Sequence, residues 1–325
     1  MAATNCFSDE ARDAIIASGG CRPCRFIFLE RRIFMTNEYV IVTDSSCDLP
    51  PEMAQELGLI VLPLTVALEG KEYANYLDGR EIGFKDFYDR IRSGAVGTTS
   101  AANVEGFMGA MEPSLAQGKD VLCLVFSSGL SSTYQASVMA VQELGEKYPQ
   151  RKIYTVDTIC ASMGQGLLVY LAAQKKAEGA SIEEVRDWVE KEKFHLCHWF
   201  TVDDLMFLKR GGRINAATAL VGTALGIKPV LHVDDEGHLI NMGKARGRQA
   251  ALSALVDKMA ELAVNPKDQI VFISHGDCLE DAKTVEKLVK QRFGVKKVVI
   301  SYVGPVIGAH SGPGTLALFF LGTHR

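Results

Sequence analysis

The chain has 325 residues, 47% of them hydrophobic and 23% charged, with a formal net charge of −4. That balance fits a globular chain with room for two domains and excludes the basic face a nucleic-acid binder needs. No apolar run reaches the roughly 18 residues of a membrane span, and eight cysteines are too dilute for a disulfide framework.

Residues 1–36 differ in pattern from the rest of the chain. Their apolar stretch, Phe26-Ile27-Phe28-Leu29, is shorter than the roughly 7–15 residues of a secretory core. Met35 stands just before the first strand pattern. We expect a disordered extension, or sequence upstream of the native start, and a cytoplasmic protein. Cys21 and Cys24 form one CxxC pair with no second pair or histidine beside it, so no metal and no cofactor is expected.

From Tyr39 the pattern is regular. "YVIVTDSS", "LGLIVLPLTVAL", "DVLCLVFSS" and "KIYTVDT" read as strands. "FKDFYDRIRSG", "VEGFMGAMEPSLAQG" and "TYQASVMAVQELGEKY" read as helices between them. Apolar strands alternating with amphipathic helices predict a parallel sheet covered on both faces. Most of these strands end in Asp, Ser or Thr, at the carboxyl edge where ligands bind in open α/β sheets. Two more helical stretches come next, the second opened by a Ser181-x-x-Glu184 capping box. Together they make an N-terminal α/β domain over residues 37–193.

Over residues 194–325 the grammar changes. "KPVLHVDDEGHLINMGKARG" reads as a hairpin. Two helix–strand alternations then lead through "GAHSGPG", a glycine-rich turn, into the strand "TLALFFLG". This is an α+β domain with a mixed sheet. With no linker between the domains, they should pack closely and leave a cleft.

The residues that carry chemistry gather in short loops. Ser127, Ser128, Ser131, Ser132 and Thr133 follow a strand and open a helix, whose free N–H groups suit an anion. A plain helix cap needs only one of them. Thr98, Thr99 and Ser100 precede a helix in the same way. Set in one parallel sheet, the two loops are expected to converge on a single anion at its carboxyl edge. Neither has the Gly-Lys-Ser/Thr of a P-loop or the Gly-x-Ser-x-Gly of a hydrolase. Lys209, Arg210 and Arg213 read as a solvated loop, whereas Arg246 follows a strand and is placed to reach a cleft. His275 ends an apolar strand, where a structural histidine is the ordinary reading. His310 lies among glycines that permit close backbone approach and stays open between the two roles.

In order along the chain, "VTDSSCDLP", "TTSAA", "SSGLSSTYQ", "LKRGGRI", "KPVL…GKARGR", "SHG" and "GAHSGPG" resemble the DegV family from about Tyr39 onward. The resemblance implies two α/β domains with a long-chain fatty acid held between them. It also implies likeness to the binding subunit of bacterial fatty acid kinase, a carrier without catalytic residues of its own. There, a separate ATP-dependent kinase subunit phosphorylates the bound acid to an acyl phosphate. The family's carboxylate-holding threonine matches Thr99, with Ser100 beside it. Its serine falls in "SSGLSS" and is matched to Ser131, with Ser127 and Ser128 as neighbours. A family arginine after the hairpin and a histidine in the glycine turn match Arg246 and His310, associated with the head group and the kinase partner. The chain departs from the family in "TSAAN" for "TSQPS", "LSST" for "LSGT" and "AHSGPG" for "THTGPG". These small-for-small or hydroxyl-for-hydroxyl changes leave the head-group chemistry in place.

Physical chemistry favours the same ligand. Each buried methylene gains about 0.8 kcal/mol, so a long tail supplies affinity. The carboxylate must keep hydrogen bonds as it leaves water. Hydroxyls and helix-start amides do that while leaving one oxygen able to accept a phosphoryl group. The alternative is a small-molecule hydrolase or phosphotransferase built on Asp44, His275 or His310. No nucleic-acid partner and no stable membrane insertion are expected.

Overall fold

Strands β1 (Tyr39–Asp44), β2 (Ile60–Leu62), β6 (Asp120–Val125) and β7 (Ile153–Asp157) form a parallel sheet in the order β2-β1-β6-β7. They belong to a computed structural model that describes residues 38–215 and 226–325. The expected extension, with Cys21 and Cys24, lies outside the described residues. All six residues of β6 are buried, so it reads as an unbroken apolar run. Its side chains nevertheless alternate between two cores. Val121, Cys123 and Val125 meet α3 (Val104–Ala116) and α4 (Thr133–Lys147). Leu122 and Leu124 meet α5 (Met163–Ala177) and α6 (Ile182–Glu192) on the other face. The Ser181–Glu184 capping box forms as the sequence indicates.

"LGLIVLPLTVAL" is not one strand. It breaks at Pro63, which has no N–H to give to a ladder. Ile60–Leu62 stays in the parallel sheet, while β3 (Leu64–Leu68) turns away to pair antiparallel with β4 (Lys71–Asn75) and β5 (Gly97–Ser100). Thr98, Thr99 and Ser100 therefore stand on this three-stranded sheet, not at the carboxyl edge of the parallel one.

The remaining strands are β8 (Leu196–Thr201), β9 (Ile227–Val233), β10 (Leu239–Arg246), β11 (Ile270–His275), β12 (Lys297–Tyr302) and β13 (Leu316–Leu321). They form a mixed sheet in the order β10-β9-β8-β13-β11-β12. The β9–β10 hairpin is the expected one, with a bulge between Asn241 and Gly243. β8 was not expected, because His195 just before it and His198 within it interrupt the apolar pattern. Helices Arg248–Leu262 and Leu279–Phe293 cover one face of the sheet. The other face, with Phe200, Leu231, Phe272 and Phe319, shares one apolar cluster with α5 and β1. A single core thus crosses the boundary expected at residue 193.

The first half of "GAHSGPG", read from the sequence as a glycine-rich turn, is the end of a helix, Pro305–Ser311. Pro305 takes its first position, where a missing N–H leaves no bond unmade. Val306 and Ala309 pack this helix on Leu64, Val66, Phe87 and Tyr88 of the small sheet and of α2 (Phe84–Arg92). That contact fixes the position of His310.

Candidate functional site

A cavity of about 300 Å³ lies where the three sheets meet, at the lower end of the ~300–1,000 Å³ typical of small-molecule sites. It is lined by the end of β5, the hydroxyl loop after β6, the inner face of β8 and β13, and the helix bearing His310.

Thr99 on β5 and His310 face each other, with Oγ1 2.7 Å from Nε2. Behind the ring stands Gly211, where a Cβ would lie 2.3 Å from His310 Nδ1. The first glycine of "RGG" is therefore required by close approach. Burial, and then the charge of Arg213, push His310 down to about 4. The ring is neutral at pH 7 and serves as donor or acceptor according to its tautomer.

The two hydroxyl stretches meet. Thr133 Oγ1 accepts from Ala102 N at 3.3 Å and lies 2.9 Å from Ser131 Oγ. Ser131 Oγ also accepts from Thr133 N at 3.2 Å. When Thr133 donates to Ser131, the Ser131 proton is left for a guest. Thr99, Ser100, Ser131, Ser132 and Thr133 all line the one cavity.

Arg213 lines it too, although its sequence context suggested a solvated loop. Its Nε donates to Leu130 O at 3.1 Å and a terminal nitrogen donates to Gly211 O. The guanidinium is half-buried, and burial lowers its pKa with no carboxylate among the described residues to offset the effect. Nothing in "LKRGGRIN" marks this arginine out; only the fold brings it to Leu130.

Three assigned residues stand elsewhere. Ser127 Oγ donates to Gly237 O at 2.9 Å, in the β9–β10 turn where Gly237 has φ +79°. A Cβ on Gly237 would lie 2.1 Å from that oxygen, so Ser127 seals a seam between two backbones. Ser128 is exposed, and its N–H donates to Asp157 Oδ1 at 3.2 Å. Arg246 is exposed at the end of β10 and does not line the cavity.

The residues of the hydrolase alternative are not brought together. Asp44 is fully buried behind the parallel sheet's edge and accepts from Ser46, Phe126 and Gln165; burial raises its pKa. His275 Nδ1 accepts from Cys278 N at 3.2 Å, and its ring lies 4.4 Å from that of Tyr302. Of Asp44, His275 and His310, only His310 lines the cavity. Among the described residues no His, Cys, Asp or Glu cluster is arranged to hold a metal. No described helix is long and apolar enough to cross a membrane.

The sequence profile described as "Uncharacterised protein, DegV family" matches residues 38–323. The chain belongs to the DegV family. A DegV domain-containing protein of Clostridium perfringens is 47% identical over 285 residues, covering 88% of this chain and 98% of that protein. A fatty-acid-binding DegV family protein from Thermus thermophilus superposes with a TM-score of 0.79 at 32% identity, over 88% of this chain and 99% of that one. The fatty acid kinase B3 protein of Streptococcus pneumoniae, solved with linoleic acid, has a TM-score of 0.78 over 87% of this chain and 99% of its own. At 17% identity, that likeness speaks for the fold alone. The α/β architecture, a helix-covered parallel sheet beside a mixed sheet, is the DegV fold.

Proposed function

We propose that this DegV protein is a cytoplasmic carrier of a long-chain fatty acid, held between lobes 37–193 and 194–325. It presents the carboxylate to a separate ATP-dependent kinase subunit. A carboxylate oxygen then attacks the γ-phosphorus of ATP, the bond to ADP breaks, and an acyl phosphate is formed. The observation that carries the reading is Arg213: a half-buried cation without a described acidic partner, in the same cavity as Thr99, Ser131 and His310. A cation beside neutral donors suits one anionic group. The rest of the wall includes Phe126, Phe200, Val233, Leu239 and Phe319, which suits an aliphatic chain. The Thermus relative's binding of fatty acid supports the same class of ligand. Arg246, exposed and outside the cavity, belongs on this reading to the face that meets the kinase.

Native mass spectrometry of the purified protein should show a co-purifying fatty acid. Thr99→Ala combined with Ser131→Ala should lose it while keeping the wild-type circular dichroism spectrum. An empty wild-type cavity, with turnover of generic esters or phosphates, would overturn the carrier reading. Full retention in the double variant would overturn the site assignment.

A further inference from the structure

The loop over residues 158–162 joins β7 to α5, and Ala161 and Ser162 at its end line the cavity. Its backbone is unusual at Ile159, whose φ is 49°. A β-branched side chain fits the left-handed region poorly, and such a residue stays there only where its surroundings hold it. On one side Ile159 N donates to Asp157 Oδ1 at 2.8 Å. On the other stands the side chain of Arg325, which is buried. One terminal nitrogen of Arg325 donates to Ile159 O at 2.8 Å and to Asp234 O at 3.0 Å. The other donates to Cys160 Sγ at 3.1 Å and lies 3.5 Å from His198 Nδ1, while Nε donates to Leu196 O at 3.2 Å.

This one guanidinium spans the seam between the lobes. Ile159 and Cys160 belong to residues 37–193, Leu196 and Asp234 to residues 194–325. Its planar fork of N–H donors suits several acceptors at once. A charge buried against carbonyl oxygens and a thiol is costly. What it supplies that an apolar side chain would not is a fixed Ile159 carbonyl. The constraint reaches the site by a short path. Cys160 O accepts from Ser127 N at 3.0 Å, and Ser127 O accepts from Leu130 N and Ser131 N at 3.1 and 3.2 Å. Ser131 therefore hangs on the backbone of Cys160, the residue that follows the strained Ile159.

We propose that Arg325 is a positioning residue of the fatty-acid site: it holds Ile159 in the left-handed conformation and, through Cys160 O, sets the loop that carries Ser131. The proposal rests on the fatty-acid reading and adds to it a residue that does not itself line the cavity. Without the guanidinium, Ile159 relaxes to negative φ, the peptide that follows it turns, and the binding-competent loop becomes a minor state. Affinity then falls in proportion to the population of that state.

The test is a double-variant cycle on the delipidated full chain, read by displacement of a fluorescent fatty acid with octadecanoic acid and by the urea midpoint. Arg325→Met should bind about tenfold more weakly than wild type, since the competent loop falls to roughly a tenth of the population. Ile159→Gly alone should bind as wild type does. Glycine takes positive φ about as readily as negative, so Arg325→Met combined with Ile159→Gly should return to within about twofold of wild type. The urea midpoint should move the other way, lower in the double variant than in either single one, because a buried side chain is lost as well. An arginine that only closes the seam gives no such rescue. If Arg325→Met keeps wild-type affinity, or if the double variant binds no better than Arg325→Met, the proposal is overturned and the carrier reading stands. Where Arg325→Met does not fold, Arg325→Lys, which keeps the charge but not the fork, decides by the same comparison. A wild-type chain that takes up no fatty acid overturns the carrier reading and this proposal with it.

Discussion

The end of β1 and the loop after β6 are both strand ends crowded with polar side chains, yet their hydrogen bonding differs. At the end of β1 the donors and acceptors answer one another. Asp44 accepts from Ser46 N at 3.0 Å, Phe126 N at 3.0 Å and Gln165 Nε2 at 3.1 Å, and from the Ser46 hydroxyl. Thr43 Oγ1 donates to Leu124 O at 2.8 Å, and Ser45 Oγ accepts from Leu64 N at 2.9 Å. After β6, by contrast, one hydroxyl proton of the Ser131–Thr133 pair is left over whichever of the two donates, and Arg213 faces the cavity without a described carboxylate. Residue type is similar in the two places; what separates them is that the network closes at the end of β1 and stays open after β6.

The comparison breaks most directly at its closed side. Asp44→Ala strands several buried donors at once, and each unsatisfied group is destabilising by about 1–3 kcal/mol. A loss of roughly 3 kcal/mol or more is expected, at the upper end of single substitutions, read as a lower urea midpoint. An unchanged midpoint would show that the closed network does not hold β1 against its neighbours. On the open side, Arg213→Gln removes a charged partner whose hydrogen bonds are worth about 1.5–3 kcal/mol. Calorimetric titration with a fatty acid should show affinity roughly tenfold to a hundredfold weaker, while the urea midpoint barely moves. The reverse pattern would put Arg213 with Asp44, among the structural groups.

Much of this was legible because local signals agreed with the final packing. The apolar run of β6 and the Ser181–Glu184 box each specify their element without help from distant residues. The hydroxyl stretches around Thr99 and Ser131 were visible as candidates for the same reason. What failed depended on contacts between remote segments. Pro63 marked the break between β2 and β3, but only pairing with β4 and β5 moves Thr99 into a different sheet. Arg213 reads as solvated until Leu130 O is placed beside it. Ser127 reads as a ligand group until Gly237 closes over it. A signal for the helix bearing His310 was present: Gly304-Pro305 is a helix-start pair, masked by the glycines downstream of it.

The finest test of the comparison is the titration of His310, which sits between the Thr99 hydroxyl and the charge of Arg213. Burial first and Arg213 second lower its pKa from 6.5 to about 4. Between those values the unfolded chain binds more protons than the native one, so stability falls as pH drops through that window and is fully present above it. A bound carboxylate brings the opposite charge and raises the pKa of the ring. Binding therefore takes up a proton in the same window, and affinity for the ionised acid should increase as pH falls from 6.5 towards 4. Imidazole shifts followed by NMR should place His310 low in the free protein. They should place it higher with fatty acid bound, and also higher in Arg213→Gln, where the repelling charge is gone. A ring whose titration ignores the ligand but responds to Arg213 would belong to the wall of the cavity and not to its binding groups.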